Sequence, residues 1–90
     1  MAGLSDPTLI IDVRGFTPAL RGPLITCVVD QLIEAEAQDA VMVILDSEPA
    51  GLGYQFEMRR ETRGKVEFTY DQRHDGAWVA IIRPRPGRDD

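Results

Sequence analysis

One cysteine, Cys27, and one histidine, His74, stand in a chain of 90 residues. A lone cysteine cannot close an internal disulfide, so the thiol content gives no sign of an oxidising compartment. A metal centre needs several convergent ligands, and a single histidine beside Asp75 in a turn-forming stretch does not supply them. No apolar run approaches the roughly 18 residues of a membrane span. The opening "MAGLSDPT" has neither a basic start nor an apolar core, so it does not read as a secretory signal. A cytoplasmic protein without membrane association is the expectation. Basic charge is short as well: 10 Lys and Arg face 15 Asp and Glu, a formal net charge of −5. That balance disfavours nucleic acid and anionic lipid. The basic group Arg83, Arg85 and Arg88 lies in a proline-rich end. The chain also lacks a Ser/His/Asp set, a Gly-rich phosphate loop and a carboxylate pair at a catalytic spacing. These absences point away from an enzyme and imply no cofactor.

What is present is periodicity. Residues 1–8 are small and polar and read as a flexible N-terminus. Leu9 to Val13 is a short β-branched strand. Gly15, Pro18, Gly22 and Pro23 then punctuate the chain, and Pro23 suits the first turn of a helix. Leu24, Ile25, Val28, Val29, Leu32 and Ile33 form one broad stripe at a 3.6-residue period, so a helix follows. "EAEAQD" ends it without a glycine. "AVMVIL", 40–45, is short and almost wholly apolar, a buried strand. Asp46, Ser47 or Glu48 can cap a second helix with Pro49 at an early position, running from Ala50 to Glu61. Lys65 to Gln72 alternates cleanly, Asp75-Gly76 turns, and "AWVAIIR" returns, a β-hairpin. Pro84 and Pro86 stop the sheet, and 84–90 reads as a disordered tail.

The order β-α-β-α-β-β makes a single domain over 9–83: an α/β (α+β) two-layer sandwich, with two helices on one face of a four-stranded mixed sheet. The first two strands are expected as parallel neighbours. The apolar stripe of the first helix is core, and Trp78, Ala80 and Ile82 share the core side with Val66, Phe68 and Tyr70. Val79 and Ile81 must then point the other way, with one alternate set of "AVMVIL": Val41, Val43 and Leu45, or Met42 and Ile44. Only the third strand alternates apolar with polar. This places the second and fourth strands in the middle of the sheet and the third at an edge, and gives the far face an apolar centre. Such a patch is typically a contact surface. Val79 and Ile81 are expected to contact a second copy of the chain, its own tail or another protein, with a symmetric homodimer the economical choice.

"IDVRGFTP" from Ile11, "PLITCVVDQL", "LDSEP", "LGYQFE" and "WVAIIR" together resemble an uncharacterised bacterial family, a domain of unknown function. That family is similar in fold to the TusA/SirA sulfur carriers. The resemblance spans about Leu9 to Arg83. It implies a TusA-like domain, and a setting in redox, sulfur or nitrogen-oxide metabolism, since members of the family occur beside hemerythrin-like domains. The sulfur carriers' reactive Cys-Pro falls near Thr17-Pro18, where the nucleophile is absent. The histidines common in the family are replaced by Gly22 and Ser47, so no metal or haem role carries over.

Two groups remain as candidate sites. Sulfur transfer needs an accessible thiolate, favoured by a helix N-terminus or a nearby cation. Cys27 lies in the first turns of the helix, off the apolar stripe, which favours exposure. Asp30 and Glu34, one and two turns on, oppose thiolate formation. A small flank residue is the simpler role for Cys27, and a persulfide carrier the alternative. Asp12 ends the first strand, at the end of an α/β sheet where ligands bind. It can equally cap the N–H groups of its own loop. Asp46 and Glu48 follow the second strand. Asp12, Arg14, Arg21, Asp46 and Glu48 are therefore expected as one polar cluster, either an arginine–carboxylate network that fixes the loops or a ligand site. The functional expectation is a small non-enzymatic interaction module. A sulfur carrier using Cys27 is the first alternative. A nucleic-acid-binding domain is the second, disfavoured by the acidic charge and the lack of aromatic–basic interleaving.

Overall fold

The apolar stripe of residues 24–33 does form a helix, and the helix is longer than the stripe. A computed structural model describes residues 9–37 and 39–85. Its elements are β1 (Leu9–Asp12), α1 (Pro18–Glu34), β2 (Val41–Leu45), α2 (Ala50–Met58), β3 (Val66–Gln72) and β4 (Trp78–Pro84). The expected N-terminal segment, 1–8, and most of the expected tail, 86–90, lie outside the described residues. α1 begins at Pro18, not Pro23, with Thr17 at the N-cap and Pro23 inside the helix. Pro18 takes the first-turn position, where a missing N–H removes no bond. Pro23 forgoes only the bond to the carbonyl of Ala19, on the exposed side, and Gly22 before it has no Cβ to meet the ring. At the other end Glu36 adopts φ 54°. Glu36 N–H donates to the Ile33 carbonyl and Ala37 N–H to that of Leu32, each at 3.0 Å. This is a Schellman closure without its usual glycine.

α2 is shorter than the expected 50–61 span, and its start differs. Pro49 is itself the N-cap, and no side chain caps the helix. Asp46 and Glu48 are engaged elsewhere. The helix stops at Met58 because Arg59 is extended (ψ 132°) and the chain turns back. The Thr62 hydroxyl, fully buried, donates to the Phe56 carbonyl at 2.9 Å and satisfies an end group of α2.

The sheet order is β1-β2-β4-β3, with β1 and β2 parallel and the other pairs antiparallel. β2 and β4, the strands apolar on both faces, are central, and β3, the one clean alternator, is at an edge. Both helices lie on one side, an α+β two-layer sandwich. Val41, Val43 and Leu45 are the inward set of β2, packed with Ala80, Ile82, Ile25, Val29 and Phe56. Pro84 belongs to β4 instead of ending the sheet before it. Its partner is Val66, while Arg85 N–H bonds to the Lys65 carbonyl one step on at 2.8 Å. Antiparallel bonds alternate, so the Val66–Pro84 pair is a non-bonded one and the absent N–H costs nothing.

The expected core row is corrected at Tyr70, which is 37% exposed. Phe56, Phe68, Tyr70 and Trp78 form a chain of rings, with centroids 5.7, 5.7 and 5.9 Å apart, that runs from core to rim. α2 covers Phe68 at very close range. A Cβ at Gly53 would lie 2.9 Å from the Phe68 ring. The Tyr70 hydroxyl instead donates to Glu48 Oε2 at 3.0 Å.

Candidate functional site

The loops after β1 and β2 lie side by side because their strands are parallel neighbours, as shown by Val13 N–H reaching the Ile44 carbonyl at 3.0 Å. Of the other four expected cluster residues, Asp46 and Arg14 bond to Arg21. Its Nη1 donates to Asp46 Oδ1 at 2.8 Å, its Nη2 to the Arg14 carbonyl at 3.1 Å, and its Nε to the Phe16 carbonyl at 2.9 Å. The Arg21 side chain is only 14% exposed. One guanidinium thus ties the β1 loop to the β2 loop and to the start of α1. Asp12 and Arg14 form a separate local pair, with Arg14 Nε and Nη2 donating to the two carboxylate oxygens at 2.9 and 2.7 Å. Arg14 N–H also donates to Asp12 Oδ1 at 3.1 Å, the loop-capping role. These bonds from the Arg14 side chain and backbone hold the Asp12 carboxyl down at about 2. The Asp46 carboxyl is lowered too, chiefly by its bond from Arg21. Glu48 does not join the cluster. It accepts from Tyr70, and this bond raises the Tyr70 hydroxyl above its ordinary value.

Cys27 is exposed. It lies on an open groove along α1, with Pro23, Asp30, Gln55 and Arg59 among its lining residues. Arg59 donates to both oxygens of Asp30, at 3.1 and 3.0 Å. The Asp30 charge expected to oppose a thiolate is therefore tied to a cation from the end of α2. Sequence reasoning missed Arg59 because it fell inside the presumed helix, where its direction could not be read. His74 is exposed in the hairpin turn, between Arg73 and Asp75, which pair at 3.2 Å. Among the described residues no group of three or more His, Cys, Asp or Glu side chains could hold a metal ion.

The side of the sheet away from the helices carries a different pattern. Ile10, Met42, Ile81 and Thr69 form one cross-strand row, and Asp12, Ile44, Val79 and Asp71 the next. Met42 and Ile44 are the outward set of β2. The five apolar side chains are contiguous over the two central strands and β1, with Asp12 and Asp71 at the edges of one row and Glu67 and Arg83 beyond the other. Ile10 is 64% exposed, and Met42, Ile44, Val79 and Ile81 are half-buried by one another. Val79 and Ile81 therefore lie on one patch. Ile10, on an edge strand too short to show alternation, is the member that sequence reasoning did not identify.

No helix among the described residues is long and apolar enough to cross a membrane. Comparison with protein-family models, with curated proteins and with solved structures gives no match.

Proposed function

We propose that the chain is a non-enzymatic interaction module whose working surface is the far face of its sheet, and that the occupant of this face is a second copy of the chain. The observation that carries the reading is the apolar patch of Ile10, Met42, Ile44, Val79 and Ile81 on the side without helices. The molecule is a slab of 40 × 33 × 17 Å, with one face of its sheet left without helices. Two such slabs, apposed with their sheets about 10 Å apart, would give the apolar rows a common core. A two-fold axis lets the same patch serve on both copies. Burying several hundred Å² contributes several kcal/mol at about 25 cal/mol per Å², before the costs of association. This favours reversible association of two copies. Methyl NMR across a dilution series tests it. The Met42 methyl, on the patch, is expected to shift with concentration, while the Met58 methyl on α2 stays constant. A Met42 signal that does not move between millimolar and micromolar protein contradicts the reading.

A sulfur carrier at Cys27 is the second reading, favoured by the exposed thiol and by the pairing of Asp30 with Arg59. Incubation with a cysteine desulfurase and cysteine separates the two. The interaction reading expects no enzyme-dependent gain of a sulfur atom. A gain that Cys27→Ser abolishes would establish the carrier.

A further inference from the structure

β3 is an edge strand, and part of its backbone has no partner among the described residues. At the two ends of the β3–β4 hairpin, Arg73 N–H donates to the Ala77 carbonyl at 2.7 Å and Arg85 N–H to that of Lys65 at 2.8 Å. Antiparallel bonds alternate, so between these ends Glu67, Thr69 and Asp71 exchange bonds with β4. Val66, Phe68, Tyr70 and Gln72 direct their backbone groups outward. Val66 is buried, and the Gln72 N–H is taken by Asp71 Oδ1 at 2.9 Å. Phe68 and Tyr70 are left, each with an outward N–H and carbonyl. The same two residues place their rings in a groove of about 290 Å³ between β3 and α2, with Tyr54, Phe56 and Glu57 on the α2 side. Tyr54 is 66% exposed. On the opposite side of the strand Glu67, Thr69 and Asp71 are exposed.

We propose that this edge binds an extended segment of a partner protein by strand addition, and that the segment alternates apolar residues with lysine or arginine. The backbone of the added strand completes the bonds of Phe68 and Tyr70, the usual source of affinity in this mode. Its alternate side chains on the helix side enter the aromatic groove. The intervening side chains emerge beside Glu67 and Asp71, and Glu57 borders the groove, so every nearby charge from β3 and α2 along the open stretch favours a cation. A second copy of β3 fits less well. Pairing two copies about Phe68 sets Lys65 against Asp71 of the partner subunit, but leaves Glu67 diagonal to both Glu67 of the partner subunit and Asp71 of the partner subunit.

The test uses the full chain, labelled with nitrogen-15, and capped hexapeptides of alternating lysine and leucine. The amides of Phe68 and Tyr70 are expected to exchange fast in the free protein, and binding to shift their signals and slow that exchange. In antiparallel addition the leucine side chains share the groove face, so the leucine N–H groups point at β3. N-methylation of the leucines is expected to weaken binding at least tenfold, and N-methylation of the lysines much less. Glutamate in place of lysine is expected to weaken it at least tenfold as well. Three results would overturn the proposal: no binding, binding indifferent to N-methylation at both sets of residues, or slow exchange of the Phe68 and Tyr70 amides before peptide is added because a second copy already pairs there.

Discussion

Asp12 and Arg14 form a bidentate pair on the surface, and its geometry makes a sharp claim about one carboxyl group. The ordinary aspartate value is 3.8, and in the folded chain Asp12 is held at about 2 by bonds from the Arg14 side chain and N–H. A carboxyl depressed on folding stabilises the folded state above its unfolded value, and that contribution is lost as pH falls through the folded one. The window here is therefore from about pH 4 down to about 2. Carbon-13 titration of the Asp12 carboxyl is expected to give a midpoint near 2, and Arg14→Gln to return it most of the way to the ordinary value. An unshifted midpoint in the unaltered protein would contradict the pairing. The members of this cluster were legible because parallel strands must set their following loops together. The division of partners was not. Arg21 binds two carbonyls as well as Asp46, and Glu48 turns to Tyr70 across the sheet. Side-chain reach of this kind depends on loop paths that residue types do not encode.

At the scale of elements, the period of apolar residues was readable and the ends of the helices were not. The α1 stripe and the β3 alternation match the structure because burial of a face follows directly from period. Two prolines competed for the start of α1, and the one nearer the N-terminus won, since an exposed Ala19 carbonyl tolerates the second. α1 closes through Glu36 at φ 54°, a conformation that costs a residue with a Cβ roughly 1–2 kcal/mol. Glu36→Gly is expected to raise stability by about 0.5–1 kcal/mol after the added freedom of glycine in the unfolded chain is set against it. A lowered denaturant midpoint would show that the turn does not constrain that residue. Gly53 argues in the opposite direction. In an ordinary helix Gly→Ala gains about 1 kcal/mol. Here the new methyl would sit 2.9 Å from a ring wedged against Phe56, so Gly53→Ala is expected to cost about 1–2 kcal/mol. A stabilised variant would mean that α2 stands off from β3. Nothing local in "AGLGYQFEM" reveals this contact, because it depends on which ring lies beneath the helix.

For the whole molecule, the governing feature is a sheet covered on one side only. That asymmetry was visible in the composition of the strands. β2 and β4 have more apolar residues than one core can use, and central positions are where such strands fit. The outer surface of β3, with Glu67, Thr69 and Asp71, keeps the edge polar, which limits uncontrolled pairing of strands. The apolar patch thus runs from β1 over the two central strands, with Asp12, Asp71, Glu67 and Arg83 at its margins, the arrangement of a contact surface with a polar rim. Ile81 belongs to this patch and lies between Met42 and Thr69 in the register. Sedimentation equilibrium of the chain and of Ile81→Asp at micromolar concentration tests the central claim most directly. The unaltered chain is expected to approach twice its 10.0 kDa mass with rising concentration. Ile81→Asp is expected to remain at the single-chain mass while keeping the circular dichroism and cooperative melting of a folded protein. An unaltered chain that stays at the single-chain mass throughout, or an Ile81→Asp variant that associates equally well, would contradict the account.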